Sequence, residues 1–150
     1  MIERATMQRH DNGALIYPLE DRIRLWKTEV ELLDLLFPDG DYQINAQFGE
    51  AACGFLVDAY LMKQNYEEVW KWLEKGANLA IHMDTYDFDA PHTSLVLRGY
   101  VGGGWIMEAV GNHSQSMLEW ITKNEEAAVL RSDARYKPLV DRLKQTARKP

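Results

Sequence analysis

The sequence contains a single cysteine, Cys53, and no long apolar run. One cysteine cannot form an intramolecular disulfide, and no stretch approaches the roughly 20 apolar residues that span a bilayer. Residues 1–10 carry charged side chains and no apolar core, which is not typical of a secretory signal. These absences favour a cytoplasmic protein that has no contact with a membrane.

Motifs for catalysis are also scarce. Cys53 lies in an apolar stretch whose nearest charges are acidic, which raises a thiol pKa and predicts a buried structural cysteine. Gly102, Gly103 and Gly104 have neither the preceding strand nor the lysine of a phosphate-binding loop. His113 lies next to a serine, but no G-x-S-x-G sequence surrounds it. We therefore predict that the protein is not an enzyme and needs no cofactor.

The charge is unevenly distributed. The net charge is −6, yet residues 131–150 alone carry +5, which leaves −11 on the first 130 residues. An acidic body repels phosphate backbones, so direct binding of nucleic acid by this chain is not expected. The basic C-terminal residues are predicted to lie on a solvated last helix, where the helix dipole favours cations; contact with DNA or an acidic partner is the alternative.

Apolar residues recur at three- and four-residue steps along most of the chain, and no segment shows sustained strand alternation. The periodicity predicts helices over residues 19–37, 43–63 and 66–83. Pro38 to Asp41 ends the first of them, and the short break at Gln64-Asn65 predicts an antiparallel hairpin between the other two.

The C-terminal part predicts two further helices. Asn112 or Ser114 can cap one, and Ser132 or Asp133 can open the last, with Pro138 in its first turn. The whole chain is thus predicted as one all-α domain of antiparallel helical hairpins. Within it, residues 1–18 are expected to be weakly ordered and residues 84–111 to form an irregular connection.

The hairpin at residues 50–83 resembles the 34-residue tetratricopeptide pattern. The matching positions are Cys53, Leu56, Val57 and Tyr60 on its first helix and Val69 and Leu73 on its second. Gly76 is small where the two helices are expected to cross. The chain departs from the pattern with Cys for Trp, Val for Gly and Val for Ala, and the pattern does not recur 34 residues earlier.

A more specific resemblance covers about residues 19–147. The blocks LEDRIRLWKTEVELLDLLFPDGDY, NYEEVWKWLEKGANLAIHMD, HTSLVLRG, NHSQSMLEWI and LRSDARYKPLVDRL follow one another in this order. This order is similar to the C-terminal tetratricopeptide-like region of bacterial transcription regulators that begin with an Xre-type helix-turn-helix. The resemblance implies a right-handed helical array behind a DNA-binding domain, and no catalytic residues. Residues 1–18 are too few for that DNA-binding domain.

The function predicted from this resemblance is a regulatory, effector-sensing or protein/peptide-interaction domain. Four aromatic residues could line a concave groove that anchors a peptide or protein partner: Tyr60, Trp70, Tyr86 and Trp105. Two alternatives stay open. One is a structural homodimerisation module without a ligand, which an exposed face of Trp26, Val30 and Leu33 would favour.

The other alternative is a small metal-binding protein. The segment 82–92 concentrates imidazoles and carboxylates, the ligands that zinc and other divalent ions prefer: His82, Asp84, Asp87, Asp89 and His92. Their spacing matches neither the EF-hand loop nor the H-E-x-x-H helix. A helix C-terminus followed by a polar turn explains the same residues without a metal.

Overall fold

The computed structural model describes residues 8–9, 13–87, 89–101 and 112–147. Five α-helices lie in these ranges: α1 (Leu19–Leu36), α2 (Ala46–Met62), α3 (Tyr66–Thr85), α4 (His113–Lys123) and α5 (Tyr136–Thr146). Two 3-10 helices, Gln43–Asn45 and Glu126–Ser132, precede α2 and α5. The described residues contain no β-strand, only an isolated antiparallel bridge between Arg9 and Leu15. The predicted all-α class is confirmed.

Helix α1 buries the apolar face that its periodicity predicts. Trp26 is 2% exposed and Val30 3% exposed, and the Trp26 ring stacks on Phe55 of α2 with centroids 5.1 Å apart. The face of Trp26, Val30 and Leu33 is therefore packed against α2. It does not offer the exposed surface that would have favoured the dimerisation alternative, and homodimer formation stays a prediction.

Helices α2 and α3 form the predicted antiparallel hairpin. The turn between them contains Gln64 with a positive φ of 54°, and the Asn65 side chain caps α3 by accepting a hydrogen bond from Glu68 N at 3.3 Å. The two helices are in close contact at Gly76, where a Cβ atom would lie 3.2 Å from Cys53 Cβ. The predicted role of Gly76 at the helix crossing is confirmed.

Each later helix packs on the one before it, and α5 also packs on α3. Pro138 lies in the first turn of α5, as predicted, where its missing N–H breaks no helical hydrogen bond. The fully buried residues of this core come from α2, α3, α4, α5 and the second 3-10 helix. The largest are Leu56, Trp70, Leu73, Met83, Ile121, Leu130, Leu139 and Leu143.

The irregular connection was predicted to begin at residue 84, but α3 continues to Thr85; the described residues that follow, 86–87 and 89–101, contain no helix. The connection is held against the turn after α1. The Asp41 carboxylate accepts a hydrogen bond from Thr93 N at 2.6 Å, and Asp39 accepts one from Thr93 Oγ1 at 2.9 Å. These bonds tie the connection to the start of the helical stack.

Several basic C-terminal residues have partners within the fold. Arg135 bonds both Glu67 and Asp133, at 3.0 and 2.8 Å, and Arg142 pairs with Glu74 at 3.0 Å. The side chains of Arg135 and Arg142 stay 39% and 41% exposed, so they remain partly solvated, as predicted, while they pair with acidic side chains of α3. None of the helices in the described ranges combines the length and apolarity needed to cross a bilayer.

Candidate functional site

The candidate site is a cleft between α2 and α4. Both helices pack on α3, but they have few contacts with each other, and this leaves an open space between them. The cleft has a volume of about 500 Å³, which is within the range of about 300–1,000 Å³ that is common for ligand sites.

One wall of the cleft is a single stripe of α2. Its residues recur at steps of three and four, the spacing of neighbours on one helical face: Gln47, Glu50, Ala51, Gly54, Phe55 and Asp58. The stripe spans about 16 Å along the helix axis. A Cβ atom at Gly54 would meet no heavy atom within 4 Å. The wall is therefore open at Gly54, where no side chain covers the backbone of α2.

The opposite wall belongs to α4, where His113, Ser116, Met117 and Trp120 again follow one helical face. Buried residues of the hairpin close the bottom of the cleft: Cys53, Val57, Trp72 and Leu73. The cleft is thus mostly apolar, with Glu50 and His113 toward one end and Asp58 at the other, and a few polar groups in an apolar lining are typical of ligand sites.

Hydrogen bonds to α3 and α5 fix the position of α4 and therefore the width of the cleft. The Asp84 carboxylate at the end of α3 accepts hydrogen bonds from His113 N at 3.0 Å and Ser114 N at 2.7 Å. These N–H groups have no partner within α4, because they belong to its first turn. Thr146 of α5 donates to Ser114 Oγ at 2.8 Å.

An imidazole–carboxylate pair joins the two walls. His113 Nδ1 lies 2.5 Å from Glu50 Oε2. The hydrogen bond to Glu50 raises the pKa of His113 above its ordinary value of 6.5, against the opposing effect of burial, and the charges of Glu50 and Asp84 raise it further. The cationic form of His113 is therefore stabilised by folding.

This pair predicts a pH dependence of stability. Because the pKa of His113 is higher in the folded state, its contribution is complete below about pH 6.5, the ordinary histidine value, and is lost as the pH rises through the folded pKa. We expect the free energy of unfolding of the wild type, relative to His113→Gln, to fall between pH 6 and pH 8.5. Urea denaturation at both pH values measures this difference.

His82 provides the control, because burial lowers its pKa. Folding favours the neutral form of His82. The wild type should therefore lose stability relative to His82→Gln as the pH falls below 6.5, the ordinary histidine pKa, which is the opposite of the pH dependence expected for His113. Equal pH dependence in the two variants would contradict the assignment of the His113–Glu50 pair.

Cys53 at the bottom of the cleft is 1% exposed. Burial raises the pKa of its thiol to about 12, so the reactive thiolate is not formed at neutral pH. The prediction of a buried structural cysteine is confirmed.

The predicted aromatic groove does not form among the described residues. Tyr60 is 7% exposed and Trp70 is 1% exposed. Arg135 lies over the Trp70 ring, 5.1 Å from its centroid. Tyr86 is half-buried at the other end of α3, which is about 30 Å long. Placing these three rings in one groove was wrong, and Trp105 lies outside the described residues.

The five candidate metal ligands also serve separate purposes. His82 stacks on Tyr86 with centroids 5.4 Å apart, Asp84 caps α4, and Asp87 accepts a hydrogen bond from Asp89 N at 2.9 Å. His92 Nδ1 lies 3.1 Å from the Asp41 carboxylate. In the described residues, no group of three or more His, Cys, Asp or Glu side chains is placed to hold a metal ion. The metal alternative is therefore not supported at these residues.

The sequence did contain a signal for the cleft. Gln47, Glu50 and Asp58 recur on one face of α2, and their polarity does not suit a face that is buried against another helix. The partner wall carried a weaker signal, because Met117 and Trp120 are also typical of a buried face.

Comparison with protein-family models, with curated proteins and with solved structures gave no significant match for this chain.

Proposed function

We propose that the protein is a tetratricopeptide-like interaction domain that binds a peptide segment in the α2–α4 cleft. The observation that carries this proposal is the open apolar cleft of about 500 Å³ between the first helices of two successive helical hairpins. The first hairpin is α2 with α3, and in this proposal α4 and α5, which pack on each other and are joined through the 3-10 helix Glu126–Ser132, act as the second.

The arrangement of the helices supports the comparison with a tetratricopeptide array. In such arrays the repeats stack side by side and create an extended concave binding surface. Here α2 and α4 occupy equivalent places in their hairpins, and both contribute one helical stripe to the cleft. A right-handed stack of the two hairpins is part of the proposal.

The resemblance to helix-turn-helix regulators adds a biological role, namely effector sensing. A peptide that contacts both walls binds best at one separation of α2 and α4, and so selects one packing of the two hairpins. A shift in this packing would reposition a DNA-binding domain attached to the array. Regulation of transcription through such a shift is our proposal for the role of the bound peptide.

The test uses a displayed library of random 12-residue peptides selected on the immobilised wild-type protein. We expect the selected peptides to bind with micromolar or better affinity and to lose at least tenfold in affinity for Gly54→Trp. The indole would occupy the cleft, and the Cβ atom itself meets no neighbour. Fluorescence anisotropy of labelled peptides measures both affinities.

Leu35→Trp is the matched control, because Leu35 is 74% exposed on α1 and is not among the residues that line the cleft. This variant introduces the same indole group on an exposed surface away from the cleft without a change of charge, and it should bind like the wild type. The proposal fails if no peptide is enriched, or if Gly54→Trp binds the selected peptides as well as Leu35→Trp does.

A further inference from the structure

The charges around the cleft are unbalanced. Glu50 and Asp58 lie in the α2 wall about 12 Å apart along the helix, and the only basic or imidazole side chain in the described lining is His113. His113 is already bonded to Glu50. The negative charge of Asp58 is therefore left without compensation inside the site.

Asp58 is exposed at the margin of the cleft, so a bound molecule can reach it. Among the described residues it has no ion pair, although many other carboxylates of the protein do. Neighbouring protein atoms still displace part of the water around its carboxylate. This desolvation and, to a smaller extent, the charge of Glu126 raise the pKa of Asp58. A second carboxylate near Asp58 increases the negative potential at this end of the cleft.

The aromatic side chains of the walls add to the attraction for cations. Phe55 and Trp120 both line the cleft, and aromatic faces attract ammonium and guanidinium groups as well as apolar groups. Phe55 is held in place by its stacking on Trp26. The cleft thus offers apolar contact along its length and a negative potential at the Asp58 end.

The shape of the cleft favours an extended peptide. An α2 wall of about 16 Å matches about five residues of extended chain at roughly 3.3 Å each. Ala51 and Gly54, in the middle of this wall, present little side chain to an approaching main chain. A compact amine would leave much of the wall uncovered.

We propose that the α2–α4 cleft selects an extended cationic peptide segment, with a lysine or arginine side chain at Asp58 and apolar side chains against Phe55, Met117 and Trp120. This inference rests on the proposed function, and it adds the chemical class of the peptide. The acidic body of the protein, with a net charge of −6 for the whole chain, would also steer such a peptide toward the site.

The experiment analyses the 12-residue peptides selected on the wild type. We expect enrichment of lysine and arginine next to apolar residues, and an affinity for Asp58→Asn that is about twofold to fivefold weaker, as for an accessible ion pair. A peptide whose basic residue is replaced with glutamine should bind the wild type more weakly by a similar factor. The Asp58→Asn variant should bind this peptide and the original peptide with equal affinity. Binding should also weaken between 50 and 200 mM salt.

Asp141→Asn is the matched control, since Asp141 is exposed on α5 and does not line the cleft. If the selected peptides are neutral or acidic and do not bind Gly54→Trp, the cationic selectivity is overturned and the proposed function stays intact. Equal affinities for Asp58→Asn and Asp141→Asn would overturn the contact at Asp58. Displacement of a selected peptide by spermidine at equal concentration would overturn the peptide class in favour of a small polyamine.

Discussion

Replacing Asp84 with alanine is expected to destabilise the protein by about 2–4 kcal/mol, because two charge-assisted hydrogen bonds to the start of α4 are lost. The bonds to His113 N and Ser114 N measure 3.0 and 2.7 Å. At 11 residues, α4 is too short to be stable on its own. Urea denaturation measures the loss, and hydrogen exchange should show weaker protection of residues 113–123.

Asp87→Ala is the control for this prediction. Asp87 is exposed, and its carboxylate accepts a hydrogen bond only from Asp89 N, within its own turn, among the described residues. We expect this variant to stay within about 0.5 kcal/mol of the wild type, as is usual for surface positions. Similar losses of stability in both variants would contradict a specific capping role of Asp84 and would favour a shared function of the 82–92 segment.

The first three helices could be predicted from the sequence because local signals define them. Their apolar periodicity is strong, and their ends carry residues with a physical reason to end a helix. Gly40 takes a positive φ of 79° in the turn after α1, and Asn65 caps α3. Of the two caps predicted for α4, Asn112 or Ser114, the structure has Asn112, whose side chain accepts a hydrogen bond from Gln115 N at 3.3 Å.

The candidate site depended on contacts between distant parts of the chain, and these could not be predicted. The sequence prediction placed Trp70 among the aromatic residues of a groove. Trp70 is buried, and Arg135 and Asp133, more than 60 residues later, lie against it. Local periodicity contains no information on which face a later helix will cover.

The small residues of α2 show the same limit. Small residues are typical of close helix packing, but the sequence alone does not separate those that touch another helix from those that face open space. A Cβ atom at Gly49 would lie 2.9 Å from Leu79 Cδ1, whereas one at Gly54 would meet nothing within 4 Å. The two glycines are five residues apart, which places them on different sides of the helix.

Gly76 is crowded in the same way as Gly49, whereas Gly54 faces open space. Substitutions at Gly76 and Gly54 are therefore expected to have opposite effects on stability. Gly76→Val should destabilise the protein by about 1–3 kcal/mol, the usual cost of overpacking a core, because even the Cβ atom would lie 3.2 Å from both Cys53 Cβ and Met117 Cε. Gly54→Ala should stabilise it by about 0.5–1 kcal/mol, since alanine favours the helix and nothing opposes its methyl group.

Thermal unfolding of the two glycine variants measures the contrast. For a domain of this size, each kcal/mol shifts Tm by about 2–4 °C, so the two variants should move Tm in opposite directions. Since Met117 lies in the α4 wall, Gly76→Val should also displace α4 and weaken binding of the selected peptides. Gly54→Ala adds only one methyl group to the opposite wall and should retain most of the affinity. A rise in Tm for both variants would show that the hairpin has room at Gly76, and that the separation of α3 and α4 is set elsewhere.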